Sequence, residues 1–151
     1  MNRVSLDWKT IESDCRDLAH QIGYCDVILA LGRGGLVPGV ILSHFLDCKV
    51  FNFGLKSYKD IKAGDIVVTQ PPGISFNSVY REKKVVVVDD LSDKGTTLNY
   101  VKEYLDTHDF YYYRFATLYI KSSTKYIPTY FTKEFDDNIW LDFPWESSKL
   151  E

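Results

Sequence analysis

Apolar residues recur along the chain with two different periods. Over residues 7–22 they return every three or four positions, which predicts a helix with one buried face. Ser5 or Asp7 is positioned to cap its first turn. A short apolar run at 26–31 predicts a buried strand, and a second helix is expected from Leu36 to about Asp47.

The strongest strand signal is the run of four valines within residues 84–90. Such a run is typical of a strand buried on both faces of a parallel sheet. A helix is predicted to follow from Thr96 to Leu105, and the remaining strands are expected at 49–54, 113–120 and 138–141. Strands that alternate with helices predict a single α/β domain over residues 1–151, with a mostly parallel sheet flanked by helices.

Residues 55–83 have a different composition, with several lysines, glycines and prolines and one β-like patch at 66–69. A connection of this length exceeds the usual limit of ~12–15 residues for an unstructured loop inside a domain. Long connections of this kind are often functional. The segment is therefore interpreted as a mobile lid that contains a weak hairpin.

Composition narrows the classes of partner. The net charge is -3, so no strong positive field is present to hold a nucleic-acid backbone. No apolar run approaches the ~18–20 residues that a membrane helix needs. The three cysteines lack metal-ligand spacing, which disfavours a disulfide framework or a zinc site. A cytoplasmic protein that binds neither nucleic acid nor membrane is expected.

The first candidate site is the turn Gly32-Arg33-Gly34-Gly35, between a predicted strand and a predicted helix. Glycines let backbone amides approach a ligand closely, and an arginine offers a fork of donors to phosphate oxygens. The alternative is a tight turn with a solvated arginine. The pattern matches neither a dinucleotide fingerprint nor a P-loop.

The second candidate site lies at residues 88–97, where the valine strand ends in two adjacent carboxylates. In an open α/β sheet, ligands bind at the carboxyl ends of strands, and the start of the following helix favours a phosphate. The two acids could hold sugar hydroxyls or a magnesium ion. The alternative is a capped helix with two solvated acids. The polar residues of this segment are Asp89, Asp90, Asp93, Lys94, Thr96 and Thr97, with Gly95 among them.

Together these segments resemble the type I phosphoribosyltransferase family. Residues 85–97 are similar to its phosphoribosyl pyrophosphate (PRPP) motif, and 31–39 to the pyrophosphate loop of the xanthine-guanine and hypoxanthine enzymes. Lys56-Ser57-Tyr58 resembles the start of their lid, and 139–146 the tryptophan segment that closes their purine pocket. The similarity spans about residues 5–146. It departs from the family pattern at Lys94 and Thr96, and no arginine lies in the lid between Tyr58 and Tyr80.

The resemblance implies the type I phosphoribosyltransferase fold: a twisted, mostly parallel sheet, a mobile lid at about 55–83 and a small C-terminal hood at about 121–151. It implies a purine salvage enzyme that transfers the phosphoribosyl group of PRPP to N9 of a 6-oxopurine, with Mg2+ as cofactor. A homodimer or homotetramer is expected. Two alternatives stay open: a transferase for another nucleobase, and a PRPP-binding regulatory protein or inactive scaffold without transferase activity.

The resemblance also implies residue roles. Arg33 and Gly34 bind the pyrophosphate, and a strained or cis peptide is expected between residues 32 and 33. Asp89 and Asp90 hold the ribose hydroxyls, with Asp90 contacting the metal. The residues implied to surround the 5-phosphate are Asp93, Lys94, Gly95, Thr96 and Thr97, and Asp93 is also the general base. For the purine, Lys121 donates to the 6-oxo group and Trp140 stacks on the ring. The backbone of Trp140 and Leu141 reaches position 2 of the purine. Trp145 and the tyrosines at 111–113 are assigned to core or subunit contact.

Overall fold

Strands and helices alternate along the chain, as the hydrophobic pattern predicts. The computed structural model describes residues 2–58 and 65–146. Its elements are β1 (Asn2–Ser5), α1 (Trp8–Ile22), β2 (Val27–Gly32), α2 (Leu36–Leu46), β3 (Lys49–Tyr58), β4 (Asp65–Gln70), α3 (Ile74–Tyr80), β5 (Val85–Ser92), α4 (Thr96–Thr107), β6 (Tyr113–Lys121), β7 (Lys133–Phe135) and β8 (Ile139–Asp142).

The main sheet has six strands in the order β4-β3-β2-β5-β6-β7. Neighbouring strands run parallel except at β3–β4, which is an antiparallel hairpin. The valine strand β5 lies between β2 and β6, and its four valines are completely buried. This arrangement confirms the predicted mostly parallel α/β sheet.

Helices cover both faces of the sheet, and alternate valines of β5 point to opposite faces. Val86 and Val88 pack into the cluster that includes the apolar residues of α1. Val85 and Val87 pack into the cluster with Phe76 and the apolar side of α4. The two clusters hold β2 and β5 rigidly, so the loops at their carboxyl ends start from fixed positions.

Helix α1 begins as predicted, because the Asp7 carboxylate accepts a hydrogen bond from the Thr10 amide at 2.7 Å. A buried polar contact then ties this helix to the sheet. The Tyr119 hydroxyl, in β6, donates to Asp14 at 2.5 Å, and Lys133 of β7 forms an ion pair with the same carboxylate at 3.1 Å.

The segment predicted to be a lid contains more structure than one weak hairpin. Strand β3 extends to Tyr58 and pairs with β4, which confirms the hairpin. Helix α3 follows, and the fully buried Phe76 anchors it in the core. Residues 59–64 lie outside the described part of the chain, and mobility of the segment stays a prediction.

A second, two-stranded sheet pairs β1 with β8 in parallel. Strand β1 was not expected from the sequence. It joins the first residues of the chain to the predicted hood, where Arg3 bonds to Asp142 at 2.8 Å. Within residues 2–58 and 65–146, every helix is too short or too polar to cross a bilayer.

Candidate active site

A cleft of about 970 Å³ opens at the carboxyl ends of β2, β3 and β5. Both segments singled out from the sequence line it, the first through Arg33 and Gly34 and the second through Asp89 and Asp90. The two loops meet because β2 and β5 are adjacent parallel strands. This is the edge where open α/β sheets bind ligands.

The two carboxylates at the end of β5 lie in a poorly solvated environment. Asp89 accepts a hydrogen bond from the Asp90 amide at 2.8 Å. Burial and the charge of Asp90 raise the pKa of Asp89 well above its ordinary value. Burial raises the pKa of Asp90 to about 6, and the charge of Glu146 acts in the same direction. The free site therefore concentrates negative charge that a cationic or hydroxyl-bearing ligand would relieve.

The loop after β2 passes directly over this acid pair. Its Gly32–Arg33 peptide bond is cis, as predicted. A Cβ atom at Gly34 would lie 2.5 Å from Oδ2 of Asp90, so the loop can approach only because residue 34 has no side chain. Arg33 itself is exposed at the cleft.

The loop between β5 and α4 is held from the hood side. Gly95 caps α4 in the left-handed conformation, with φ of 91°. A Cβ there would lie 2.7 Å from the Tyr126 amide nitrogen. Ser92, just before the loop, donates to the Tyr126 carbonyl at 2.8 Å. Asp93, Lys94 and Thr96 are exposed, whereas Thr97 lines the cleft.

Comparison with known proteins identifies the family and the fold. A model of the phosphoribosyl transferase domain matches residues 6–149. The chain belongs to this family. Over 148 residues it is 29% identical to the xanthine-guanine phosphoribosyltransferase of Chromohalobacter salexigens. The matched region covers 95% of this chain and 84% of that protein.

Solved structures agree with this assignment. The purine phosphoribosyltransferase of Pyrococcus horikoshii is similar with a TM-score of 0.85 and 33% identity, covering 100% of this chain and 99% of that one. The xanthine-guanine-hypoxanthine phosphoribosyltransferase of Helicobacter pylori gives a TM-score of 0.82 and 26% identity, covering 97% and 95%. The type I phosphoribosyltransferase fold inferred from the sequence is confirmed.

In this phosphoribosyltransferase the three residues predicted to bind purine gather around β8. The buried Lys121 ammonium donates to the Ile139 carbonyl, which places it beside that strand. Trp140 is 46% exposed, with its indole N–H on Asp142 at 3.1 Å and the Arg3 guanidinium 5.7 Å from its ring centroid. Leu141 is buried in the core. None of the three is among the described residues that line the cleft.

The cleft is also lined by several described residues that the sequence analysis did not assign to it. Trp145 stacks on Phe143 with ring centroids 4.8 Å apart, so it is a packing residue as expected, but it also forms part of the cleft wall. Glu146 and Lys56 line the same cleft, and so does Asn52 of β3. The position of Asn52, between Phe51 and Phe53 in the strand beside β2, was a signal available in the sequence.

Proposed function

We propose that this phosphoribosyltransferase transfers the 5-phosphoribosyl group of PRPP to N9 of a 6-oxopurine and releases pyrophosphate. The observation that carries the proposal is the meeting of an arginine-glycine loop and a buried acid pair in one cleft. The names of the relatives from Chromohalobacter, Pyrococcus and Helicobacter support a purine as the acceptor.

The sugar phosphate is proposed to sit at the start of α4. Helix N-termini carry free amides and a positive dipole end, which favour a phosphate. Residues 93–97 would surround its oxygens, with hydroxyl donors from Thr96 and Thr97 and an ammonium from Lys94. The contacts of Ser92 and Gly95 with Tyr126 hold this loop in place.

The ribose and its leaving group are proposed to lie between the two loops. Asp89 and Asp90 would bind the ribose hydroxyls, and Arg33 with the amide of Gly34 would bind the pyrophosphate. These donors stabilise the charge that develops on pyrophosphate as the bond to C1′ breaks. Both groups line one cleft, so one PRPP molecule could reach the acids with its ribose and the loop with its pyrophosphate.

The acid pair also suits a divalent cation. Carboxylate oxygens with raised pKa values are a hard donor set whose repulsion a cation would relieve. Among the described residues no group of three or more candidate ligands forms a cage. Mg2+ is accordingly proposed to bind through Asp90, completing its shell with water and substrate oxygens. When bound, it would neutralise the pyrophosphate charge.

The purine is proposed to bind on the hood side. Asp93 would accept the proton that the imidazole ring of the base loses as N9 bonds to C1′. Lys121 has three donor protons, of which one is used on Ile139, so a 6-oxo acceptor can take another. Trp140 would stack on the ring. Lid closure would exclude water from the activated sugar.

The decisive experiment measures nucleotide formation from PRPP and Mg2+ with adenine, hypoxanthine, guanine and xanthine in parallel. We expect turnover with at least one 6-oxopurine and at least ~10-fold lower kcat/KM with adenine. Preference for adenine would refute the 6-oxopurine assignment. Tight PRPP binding without turnover of any base would instead establish a PRPP-binding protein that is not a transferase.

A further inference from the structure

Asn52 lines the cleft, and its side chain carries a polar atom that the structure leaves without a partner. Its side-chain oxygen is buried and accepts no hydrogen bond from any described residue. Its side-chain nitrogen donates to Oε1 of Gln70 at 2.6 Å, across the β3–β4 hairpin. Buried polar groups are nearly always hydrogen-bonded, so an orphaned one at a cleft wall points to a missing partner.

The surroundings of Asn52 show which part of a ligand it faces. A Cβ at Gly32 would clash with the Asn52 oxygen, so the amide lies directly against the loop that carries Arg33. Lys56, which follows Asn52 by four residues in β3, lines the cleft as well. The acids Asp89 and Asp90 belong to β5, on the far side of β2. Asn52 therefore lies on the cationic wall of the cleft.

An anion bound on this wall needs hydrogen-bond donors, and the hydrogen-bonded amides of Asn52 and Gln70 can supply one N–H donor. Asn and Gln side chains each carry both a donor and an acceptor. A half-turn of both amides keeps their hydrogen bond but reverses it, so that Gln70 donates to Asn52. The Asn52 NH2 group then takes the place of the unpartnered oxygen, beside the Gly32–Arg33 loop. Neither side chain has to leave its position.

We propose that Asn52 is a further substrate-binding residue, which donates a hydrogen bond to the pyrophosphate end of PRPP while Gln70 holds its amide. The inference rests on the proposed function, because it takes PRPP as the ligand. It adds a residue of β3 to the two loops that bind the substrate. Through Gln70 it also links the bound anion to β4, the second strand of the predicted lid.

The test compares inorganic pyrophosphate and PRPP with guanosine 5′-monophosphate, which lacks the pyrophosphate. Dissociation constants are measured by calorimetry with Mg2+ for the unaltered protein and for Asn52→Ala. A hydrogen bond to a charged group corresponds to ~10–100-fold in affinity. We expect the variant to bind pyrophosphate and PRPP at least ~10-fold more weakly and the nucleotide within about twofold.

Two further variants separate ligand contact from structural support. Asn77→Ala is the matched control, since Asn77 also has a buried, unpartnered side-chain oxygen but bonds to Tyr104 in the α3–α4 packing. It should bind all three ligands like the unaltered protein. Asn52→Asp keeps the shape and can still accept from Gln70, yet it replaces the donor with a negative charge. It should weaken pyrophosphate binding more than Asn52→Ala does.

Equal weakening of all three ligands in Asn52→Ala would overturn the proposal, because it would indicate a structural role. Unchanged pyrophosphate affinity in either Asn52 variant would overturn it as well. Those results leave the proposed transferase activity intact if the unaltered protein still forms nucleotide. An unaltered protein that binds neither PRPP nor pyrophosphate would refute both the inference and the proposed function.

Discussion

The buried acid pair should make the free protein less stable than it would be without it, and Asp90→Asn tests this. The pKa of Asp90 is raised from 3.8 to about 6 by burial. Below pH ~4 the carboxyl is protonated in both the folded and unfolded states, so it costs nothing. Between pH ~4 and ~6 the unfolded state ionises while the folded carboxyl stays protonated, so the cost grows over this range to about 3 kcal/mol and stays constant above it.

Replacing Asp90 with Asn removes this cost and keeps a side chain of the same shape. We expect the variant to be more stable by ~2–3 kcal/mol at pH 7.5, which is a rise in Tm of about 5–10 °C for a chain of this size. Near pH 4 the two proteins should melt alike. PRPP binding by the variant should be weakened at the same time, since Asp90 is a proposed ribose and metal contact.

The assay is thermal unfolding from pH 4 to 8 with EDTA, so that no divalent cation masks the acids. Asp17→Asn, at an exposed acid of α1, is the control and should shift Tm little at any pH. A stabilisation of Asp90→Asn that is the same at pH 4 and pH 7.5 would refute the electrostatic explanation. A lower Tm at pH 7.5 would show that the carboxylate supports the fold.

Three other predictions follow from the site. Lys121→Met should remove most of the preference for 6-oxopurines over adenine, seen as converging kcat/KM values, while PRPP affinity stays within about twofold; retained discrimination would place the donor elsewhere. Trp140→Ala should raise KM for every purine together, because stacking does not read the ring substituents; a change for one purine only would contradict this. Hydrogen exchange over residues 58–80 should slow when PRPP and an inert base analogue bind, whereas ligand-independent protection would rule out a closing lid.

The sheet and the two loops proposed to bind phosphate could be predicted because their signals are local. The four valines of β5 and the adjacent acids stand together in the sequence, and parallel pairing with β2 brings the Arg33 loop beside them. Hydrophobic period, glycine and charge all favour the same interpretation there. Agreement between such independent signals is typical of well-specified structure.

Other features depend on contacts between distant residues and could not be predicted in this way. Helix α3 has seven residues and one buried anchor, Phe76, so its period is too short to detect. Strand β1 has four residues and exists because β8 pairs with it. Trp140 and Trp145 look equivalent in the sequence, but only Trp145 lies at the cleft wall described above.

The pairing of β1 with β8 also sets the order in which the protein can be completed during synthesis. Arg3 and its partner Asp142 are 139 residues apart in the chain. At ~5–20 residues per second, a ribosome needs roughly 7–28 s to make the second after the first. Contacts of such long sequence separation slow folding, because the entropy of closing the long loop is lost before the contact forms. The region around Trp140 is thus completed after β2 and β5 have been made, so the side proposed to select the base is the last part of the site to be synthesised.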